Sequence, residues 1–197
     1  MKRAHTMQLI GKTRTASGSD TGMTALPPAG FTLVETLVAI TILMIAIVGP
    51  FYSVQQAISA SYAARDQLIA SSLAQEGAEY IYFLRDNNYL SGTGNSWLQN
   101  MDACKVNTLS DPGCTVDPTQ GNALAACSSS GCLPLRLSST GLYTQNTLGG
   151  YPVTRFTRTV KILQVSASEA KVVVQVTWST SHRPYTITVT DDLYNWL

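Results

Sequence analysis

The chain has little charge and few of the residues that carry catalysis. Only 13% of its 197 residues are charged, the formal net charge is +1, and the two histidines, His5 and His182, are isolated. A nearly neutral chain lacks the basic surface expected of a nucleic-acid-binding protein. The GKT at 11–13 lacks the upstream glycine of a phosphate-binding loop. We therefore expect no enzyme, no cofactor and no nucleic-acid partner.

The four cysteines lie in the polar distal half, at Cys104, Cys114, Cys127 and Cys132. Their C-x9-C and C-x4-C spacings lack the paired CxxC knuckles of a structural zinc site, so we expect no metal. An even number of cysteines in an exported, loop-rich segment is typical of two disulfides. Three pairings are open, and short loop lengths favour Cys104–Cys114 with Cys127–Cys132.

One long apolar run dominates the N-terminal part of the chain. Residues 31–51 contain a single charge, Glu35, and a helix of this length crosses about one hydrocarbon core. Four basic residues and one acidic residue precede Gly30, giving this segment +3, whereas the remainder carries −2. Positive charge before an apolar span keeps that end cytoplasmic, so the remainder lies outside the cytoplasm. We expect Gly49-Pro50 to kink the helix, because proline removes a backbone donor.

Helical periodicity continues beyond the apolar run. The segment SVQQAISASYAARDQLIASSLAQEGAEYIYFLRD contains no proline and repeats apolar residues every three or four positions. It predicts an amphipathic continuation to about Asp86, where the turn-forming DNNYLSGTGN ends the helix. The expected apolar stripe comprises Val54, Ile58, Tyr62, Leu68 or Ile69, Leu73, Ala74, Tyr80, Ile81 and Leu84. We expect loops over 91–150, with a short helix near Trp97 to Met101 and Trp97 as a core anchor.

The last part of the chain is rich in β-branched residues that alternate with polar ones. YPVTRFTRTVKILQV, AKVVVQVTWST and PYTITVTDDLYNWL predict three antiparallel strands, or four, with SASEA and STSHRP as connections. The apolar face of this sheet needs a cover, which the amphipathic helix supplies. The predicted fold class is therefore α+β. The expected segments are a leader at 1–30, an assembly helix at 31–51, its amphipathic continuation at 52–87, a cysteine-containing loop region at 88–150 and a sheet at 151–197.

The stretch GFTLVETLVAITIL resembles the processing and assembly motif of type IV prepilins and type II secretion pseudopilins. The family pattern is a basic leader, a glycine, an apolar residue, Thr-Leu-Val/Ile-Glu and an apolar run. It is matched by Gly30, Phe31, Thr32, Leu33, Val34 and Glu35. The similarity is specific over roughly 25 residues and only architectural over the rest.

This resemblance implies a mechanism. A prepilin peptidase would cut after Gly30 and methylate the new amino group of Phe31. The mature helix would enter a filament, with Glu35 paired to the N-terminus of a neighbouring subunit. A buried carboxylate is costly alone and tolerable when paired, so the pair would reward correct stagger. The implied partners are other pilin or pseudopilin subunits, the peptidase, an inner-membrane assembly platform and membrane lipid.

Some features depart from the family pattern or remain open. The leader is long, so translation from Met7 or Met23 is an alternative start, and Pro50 lies two residues before the common proline position. Both expected disulfides precede the strands, unlike the C-terminal loop of many major pilins. LAQEGAEYIYFLRD and the closing strands resemble minor pilins of the pilus-modification type, which favours a minor subunit.

The sequence is compatible with three hypotheses for the function of the chain. The favoured one is a filament subunit at the inner membrane, with a cytoplasmic N-terminus and an extracytoplasmic head. The alternative is a single-pass anchored binding protein that enters no filament, and a membrane-anchored enzyme is weaker still. Asp191-Asp192 is compatible with calcium ligands, although a solvated strand end is the favoured explanation.

Overall fold

The computed structural model describes residues 30–91, 96–120, 123–180 and 183–195. The expected leader up to residue 29 lies outside the described residues, as do the alternative starts within it. So do residues 181 and 182 of the predicted STSHRP connection. The chain divides into two units, residues 1–49 and 50–197, and each is described by itself.

Helix α1 extends over Leu33–Leu90 and contributes to both units. Within the first unit its large apolar side chains are all exposed, from Leu33 at 78% to Ile47 at 49%. The helix contains a segment long and apolar enough to cross a membrane. Pro50 lies inside α1, so the helix is not interrupted there, and the kink at Gly49-Pro50 stays a prediction.

At its far end, α1 continues through Leu90 rather than ending near Asp86. The turn-forming residues DNNYL are therefore helical. Asn88 explains part of this extension, because its side-chain amide donates to the carbonyl oxygens of Trp97 at 3.1 Å and Gln99 at 2.7 Å. Those bonds hold the last turn against the following segment, a tertiary restraint that overrides local turn propensity.

The second unit is built on a sheet whose long strands follow one another in the chain. β6 (Thr157–Gln164), β7 (Glu169–Thr180) and β8 (Arg183–Tyr194) are antiparallel neighbours. Val160 pairs with Val174, and Val174 pairs with Val189. The three strands predicted from alternation are confirmed, although the first begins at Thr157 instead of Tyr151.

The cysteine region contributes further strands that were expected to be loops. A 3-10 turn at Asp102–Cys104 is followed by β1 (Lys105–Val106), β2 (Cys114–Val116), β3 (Leu124–Ala126), β4 (Arg136–Leu137) and β5 (Tyr143–Thr144). The sheet order is β3-β2-β6-β7-β8, and β1 pairs with β6 in parallel. β4 and β5 form a separate small sheet. The main sheet is thus antiparallel apart from the β1–β6 pair.

The core lies between α1 and the main sheet, which confirms the α+β class. The buried helix face is made largely of small residues, including Ala70, Ala74, Gly77 and Ala78. A β-carbon on Gly77 would lie 3.0 Å from Val174, so a small residue permits close packing of helix on sheet. This face is where the predicted stripe is partly wrong. Leu73, Ala74 and Ile81 are buried as expected, and Ile69, Tyr80 and Leu84 are half-buried against the core. The exposed members are Val54, Ile58, Tyr62 and, of the alternative pair Leu68 or Ile69, Leu68.

Arg158 is completely buried beneath the helix. Its guanidinium donates to Leu73 O at 3.0 Å and Glu76 Oε2 at 2.6 Å on α1, and to Val116 O at 2.6 Å on β2. A buried cation is tolerated when such partners replace water. This one side chain therefore joins the helix, β2 and β6.

The two disulfides are Cys104–Cys114 and Cys127–Cys132. This is the local pairing that short loop lengths favour. The first bridge connects the 3-10 turn to the start of β2, and both of its cysteines are buried in the core. Trp97 is also buried, at 7% exposure, and donates its indole N–H to Ala167 O at 3.1 Å. Trp97 is thus the core anchor expected, although residues 97–100 form turns instead of a short helix.

Asp117 organises the loop after β2. It is 3% exposed and accepts hydrogen bonds from the hydroxyls of Thr119 and Thr144, the side-chain amide of Gln120 and the backbone N–H of Gln145. Burial alone would raise its pKa, but these donors outweigh burial and lower the pKa to about 2 from 3.8. The charged form is therefore the one that the fold stabilises.

We predict that Asp117→Asn lowers the free energy of unfolding by about 2 kcal/mol at neutral pH. Because the folded-state pKa lies below the unfolded value, this contribution is complete above the unfolded pKa and disappears as pH falls through the folded pKa. Urea unfolding of the full chain in detergent, followed by tryptophan fluorescence at several pH values, measures the difference. Glu79→Gln, on an exposed helix surface, is the control and should change little. An Asp117→Asn deficit that stayed constant down to acid pH would contradict this assignment.

Candidate functional site

The N-terminal end of α1 is capped by Thr32. Its Oγ1 accepts the backbone N–H of Glu35 at 3.2 Å, and its carbonyl accepts the N–H of Thr36 at 3.2 Å. A threonine followed three residues later by glutamate is the sequence pattern of a capping box, which satisfies donors that have no partner inside the helix. Residues 32–35 therefore fix where the helix begins, at Leu33.

The Gly30–Phe31 peptide bond lies just before this cap, in non-helical chain. Both residues are exposed. A β-carbon built on Gly30 meets no atom within 4 Å, and Gly30 is not among the glycines with positive φ. Nothing within the described chain therefore requires glycine at position 30.

Glu35 lies in the first turn of α1. An acidic side chain there interacts favourably with the positive end of the helix dipole. It is exposed, and its carboxylate makes no ion pair within the residues that the structure describes. Glu35 thus presents a negative charge at the start of an otherwise apolar surface. The helix dipole favours a carboxylate at this position, and the exposed carboxylate can bind a cationic group of another molecule.

The surface beyond Glu35 is apolar all around the helix. Every large aliphatic side chain from Leu37 to Val48 is exposed. Soluble monomers rarely expose a continuous apolar surface of this size, so it requires lipid or other apolar helices as its surroundings. The first unit is therefore suited to a membrane and to helix–helix packing.

The sequence-predicted site residues fall into separate places. Gly30, Phe31 and Glu35 lie together at the start of α1, and Gly49-Pro50 spans the boundary between the two units. The four cysteines all belong to the second unit, where they hold loops. Asp191 is exposed and Asp192 half-buried near the end of β8. Burial of Tyr82 and its hydrogen bond to Asp191 raise the pKa of Tyr82 to about 12.

Sequence reasoning missed two functional details. Thr32 was matched only as part of a motif, although its spacing to Glu35 already carries the capping signal. The burial of Arg158 has a weaker sequence signal: it alternates onto the same strand face as the buried Phe156, but arginine is rarely buried completely. No group of three or more metal-ligating side chains occurs in the described ranges.

The described residues thus form an exposed apolar helix segment capped by Thr32 and an α+β head that contains two disulfides. Residues 28–49 match the family model described as the prokaryotic N-terminal methylation motif. The match supports a type IV prepilin- or pseudopilin-type protein, a class of structural subunits. In general, such a motif implies other pilin subunits and a prepilin peptidase as partners, and it is consistent with membrane anchoring. No curated protein and no solved structure matches the chain.

The cap leads to a test at single-residue resolution. We predict that Thr32→Val speeds hydrogen exchange of the Glu35 amide by about fivefold, since losing a threonine cap costs about 1 kcal/mol. Thr32→Ser retains the hydroxyl and should exchange like the wild type. Amide exchange by NMR on the full chain in micelles gives the rates. Equal rates in all three proteins would show that Thr32 does not cap the helix.

Proposed function

We propose that this protein is a filament subunit made as a membrane-anchored precursor. In this proposal a prepilin peptidase cleaves the Gly30–Phe31 bond and methylates the Phe31 amino group. The observation that carries it is the methylation motif at residues 28–49, within which Gly30 and Phe31 are exposed and non-helical, just before the helix that Thr32 caps. A peptide bond inside a helix is a poor protease substrate. Because the helix begins only at Leu33, the Gly30–Phe31 bond stays accessible.

The proposed topology places the N-terminus in the cytoplasm and the head outside it. The basic leader favours retention of the N-terminal end on the cytoplasmic side. Two disulfides in the head fit an oxidising compartment. The proposed segments are the leader at 1–30, the assembly helix at 31–51 and the head beyond it. After processing, the helix remains in the inner membrane until an assembly platform moves the subunit into a pilus or pseudopilus.

Glu35 is proposed to select the correct stagger between subunits. A carboxylate among apolar helices is expensive unless a cation neutralises it. The Phe31 ammonium of a neighbouring subunit is such a cation, and it comes from the same motif. A subunit displaced along the bundle would leave both charges unpaired, which costs several kcal/mol. Correct register is thereby favoured without a large specific contact.

We further propose that the chain is a minor subunit. The resemblance of LAQEGAEYIYFLRD and of the closing strands to minor pilins supports this assignment. The head also has two local disulfides that both precede β6, β7 and β8, rather than one C-terminal loop. The alternative is an anchored extracytoplasmic binding protein that enters no filament.

N-terminal processing distinguishes the hypothesis of a filament subunit from that of an anchored binding protein. We expect intact-mass spectrometry of the protein purified from its host to show a chain that begins at Phe31 and carries one N-terminal methyl group. Gly30→Leu should leave the precursor uncut, because a narrow protease site would exclude the larger side chain. The described fold has room for that side chain, so the variant should still fold. A mature protein that kept its basic leader would favour the anchored binding protein.

The role of Glu35 is tested by entry into filaments. We expect Glu35→Val to be processed and inserted into the membrane but reduced by about tenfold or more in sheared filaments, since one lost ion pair in an apolar site is worth more than 1.4 kcal/mol. Quantitative immunoblots of filament and membrane fractions measure the ratio. Glu79→Val, which removes an exposed carboxylate from the head half of α1, is the matched control. Normal filament entry of Glu35→Val would refute the proposed pairing.

A further inference from the structure

A polar cleft lies on the head beside α1, and the filament function does not use it. Its volume is about 340 Å³. On one side it is lined by Tyr62, Arg65 and Asp66 of α1, and on the other by Tyr143, Arg155 and Phe156. All of these residues belong to the second unit. A cleft of this size falls within the range of small-ligand sites and fits one sugar ring better than a length of folded chain.

The charge of the cleft favours an anion. Two guanidinium groups face one carboxylate, and that carboxylate is already engaged. Asp66 is 5% exposed and accepts from Arg155 Nη1 at 2.8 Å and from Thr180 Oγ1 at 3.3 Å. These contacts hold Arg155 in place, while its side chain stays 51% exposed and keeps other N–H donors available.

Arg65 is the unengaged cation of the cleft. It is exposed, and it makes no hydrogen bond or ion pair within the portion of the chain that is described. A guanidinium offers a planar fork of donors that matches a carboxylate in two parallel hydrogen bonds. Arg65 is therefore the natural first contact for an incoming carboxylate, with Arg155 fixed nearby in the same cleft.

The aromatic residues add a second kind of recognition. Tyr143 packs edge-on against buried Phe156, with ring centroids 6.2 Å apart, so its position is fixed. Tyr62 is 62% exposed on the facing helix. Neither tyrosine hydroxyl has a hydrogen-bond partner in the described part of the chain. Burial raises the pKa of Tyr143, so its hydroxyl stays protonated and able to donate at neutral pH.

We propose that this cleft binds a carboxylate-bearing sugar residue, such as a hexuronate unit of an acidic polysaccharide. Arg65 contacts the carboxylate, the tyrosine rings pack against the sugar ring, and their hydroxyls bond its hydroxyl groups. An acidic peptide is the competing occupant, because a second, more apolar cavity lined by Leu68, Leu142 and Tyr143 adjoins the cleft. The sugar is favoured because the cleft itself combines cations, phenols and ring faces in a volume of one monosaccharide.

Titration of the full chain in detergent with a galacturonic acid trisaccharide tests the proposal, using isothermal calorimetry. The neutral galactose trisaccharide and a tetrapeptide containing glutamate are the comparison ligands. We expect the acidic sugar to bind at least about tenfold more tightly than either, a ratio that corresponds to about 1.4 kcal/mol. Binding should weaken with added salt, because the contact is charged and partly exposed.

Two variants locate the site. Arg65→Ala should weaken binding of the acidic trisaccharide by about tenfold or more, as expected for losing hydrogen bonds to a charged group. Arg183→Ala removes an exposed arginine on β8, outside the cleft, and should bind like the wild type. Neither side chain is buried, so both variants should fold. Absence of uronate binding, preference for the peptide, or equal effects of the two variants would overturn the proposal.

Discussion

Helix α1 must satisfy two environments within one stretch of sequence, and the other features follow from that constraint. Its first part exposes aliphatic side chains in every direction, which only lipid or other apolar helices can cover. Its second part buries small residues against a sheet and exposes polar ones. Glu35 is the single charge of the apolar part, so whatever neutralises it determines where that part is stable.

The start of α1 brings together the features on which the proposed processing and assembly depend. Thr32 caps the N-terminus of the helix, which begins at Leu33. The Gly30–Phe31 bond therefore lies in exposed, non-helical chain. Glu35 lies in the first turn of the helix. One short motif thus combines an accessible bond, a capped helix and a charge that needs a positive partner. No contact within the described fold requires glycine at position 30, whereas the proposed cleavage would give it a role.

Much of the fold followed from periodicity, and the exceptions have physical reasons. Alternation of β-branched residues identified β6, β7 and β8, because it reports which strand face is buried. The short strands β2 and β3 were missed since three residues are too few to show a period. The buried helix face was predicted only in part, because the small residues Ala70, Gly77 and Ala78 lie on it beside Leu73 and Ile81 and give no apolar signal of their own. Tyr62 and Leu68, which fit the apolar stripe, instead face solvent and border the clefts.

The motif could be located from the sequence, but the proposed role of Glu35 involves a second subunit and so cannot be seen in one chain. Zero-length crosslinking of isolated filaments with an apolar carbodiimide tests that pairing most directly, since it joins only a carboxylate and an amine already in contact. The salt bridge between Lys105 and Asp102, 2.7 Å apart within the head, serves as the positive control. The account predicts a peptide containing Glu35 joined by an amide bond to the N-terminus of a neighbouring subunit. Recovery of the Lys105–Asp102 link while Glu35 stays unlinked would contradict it.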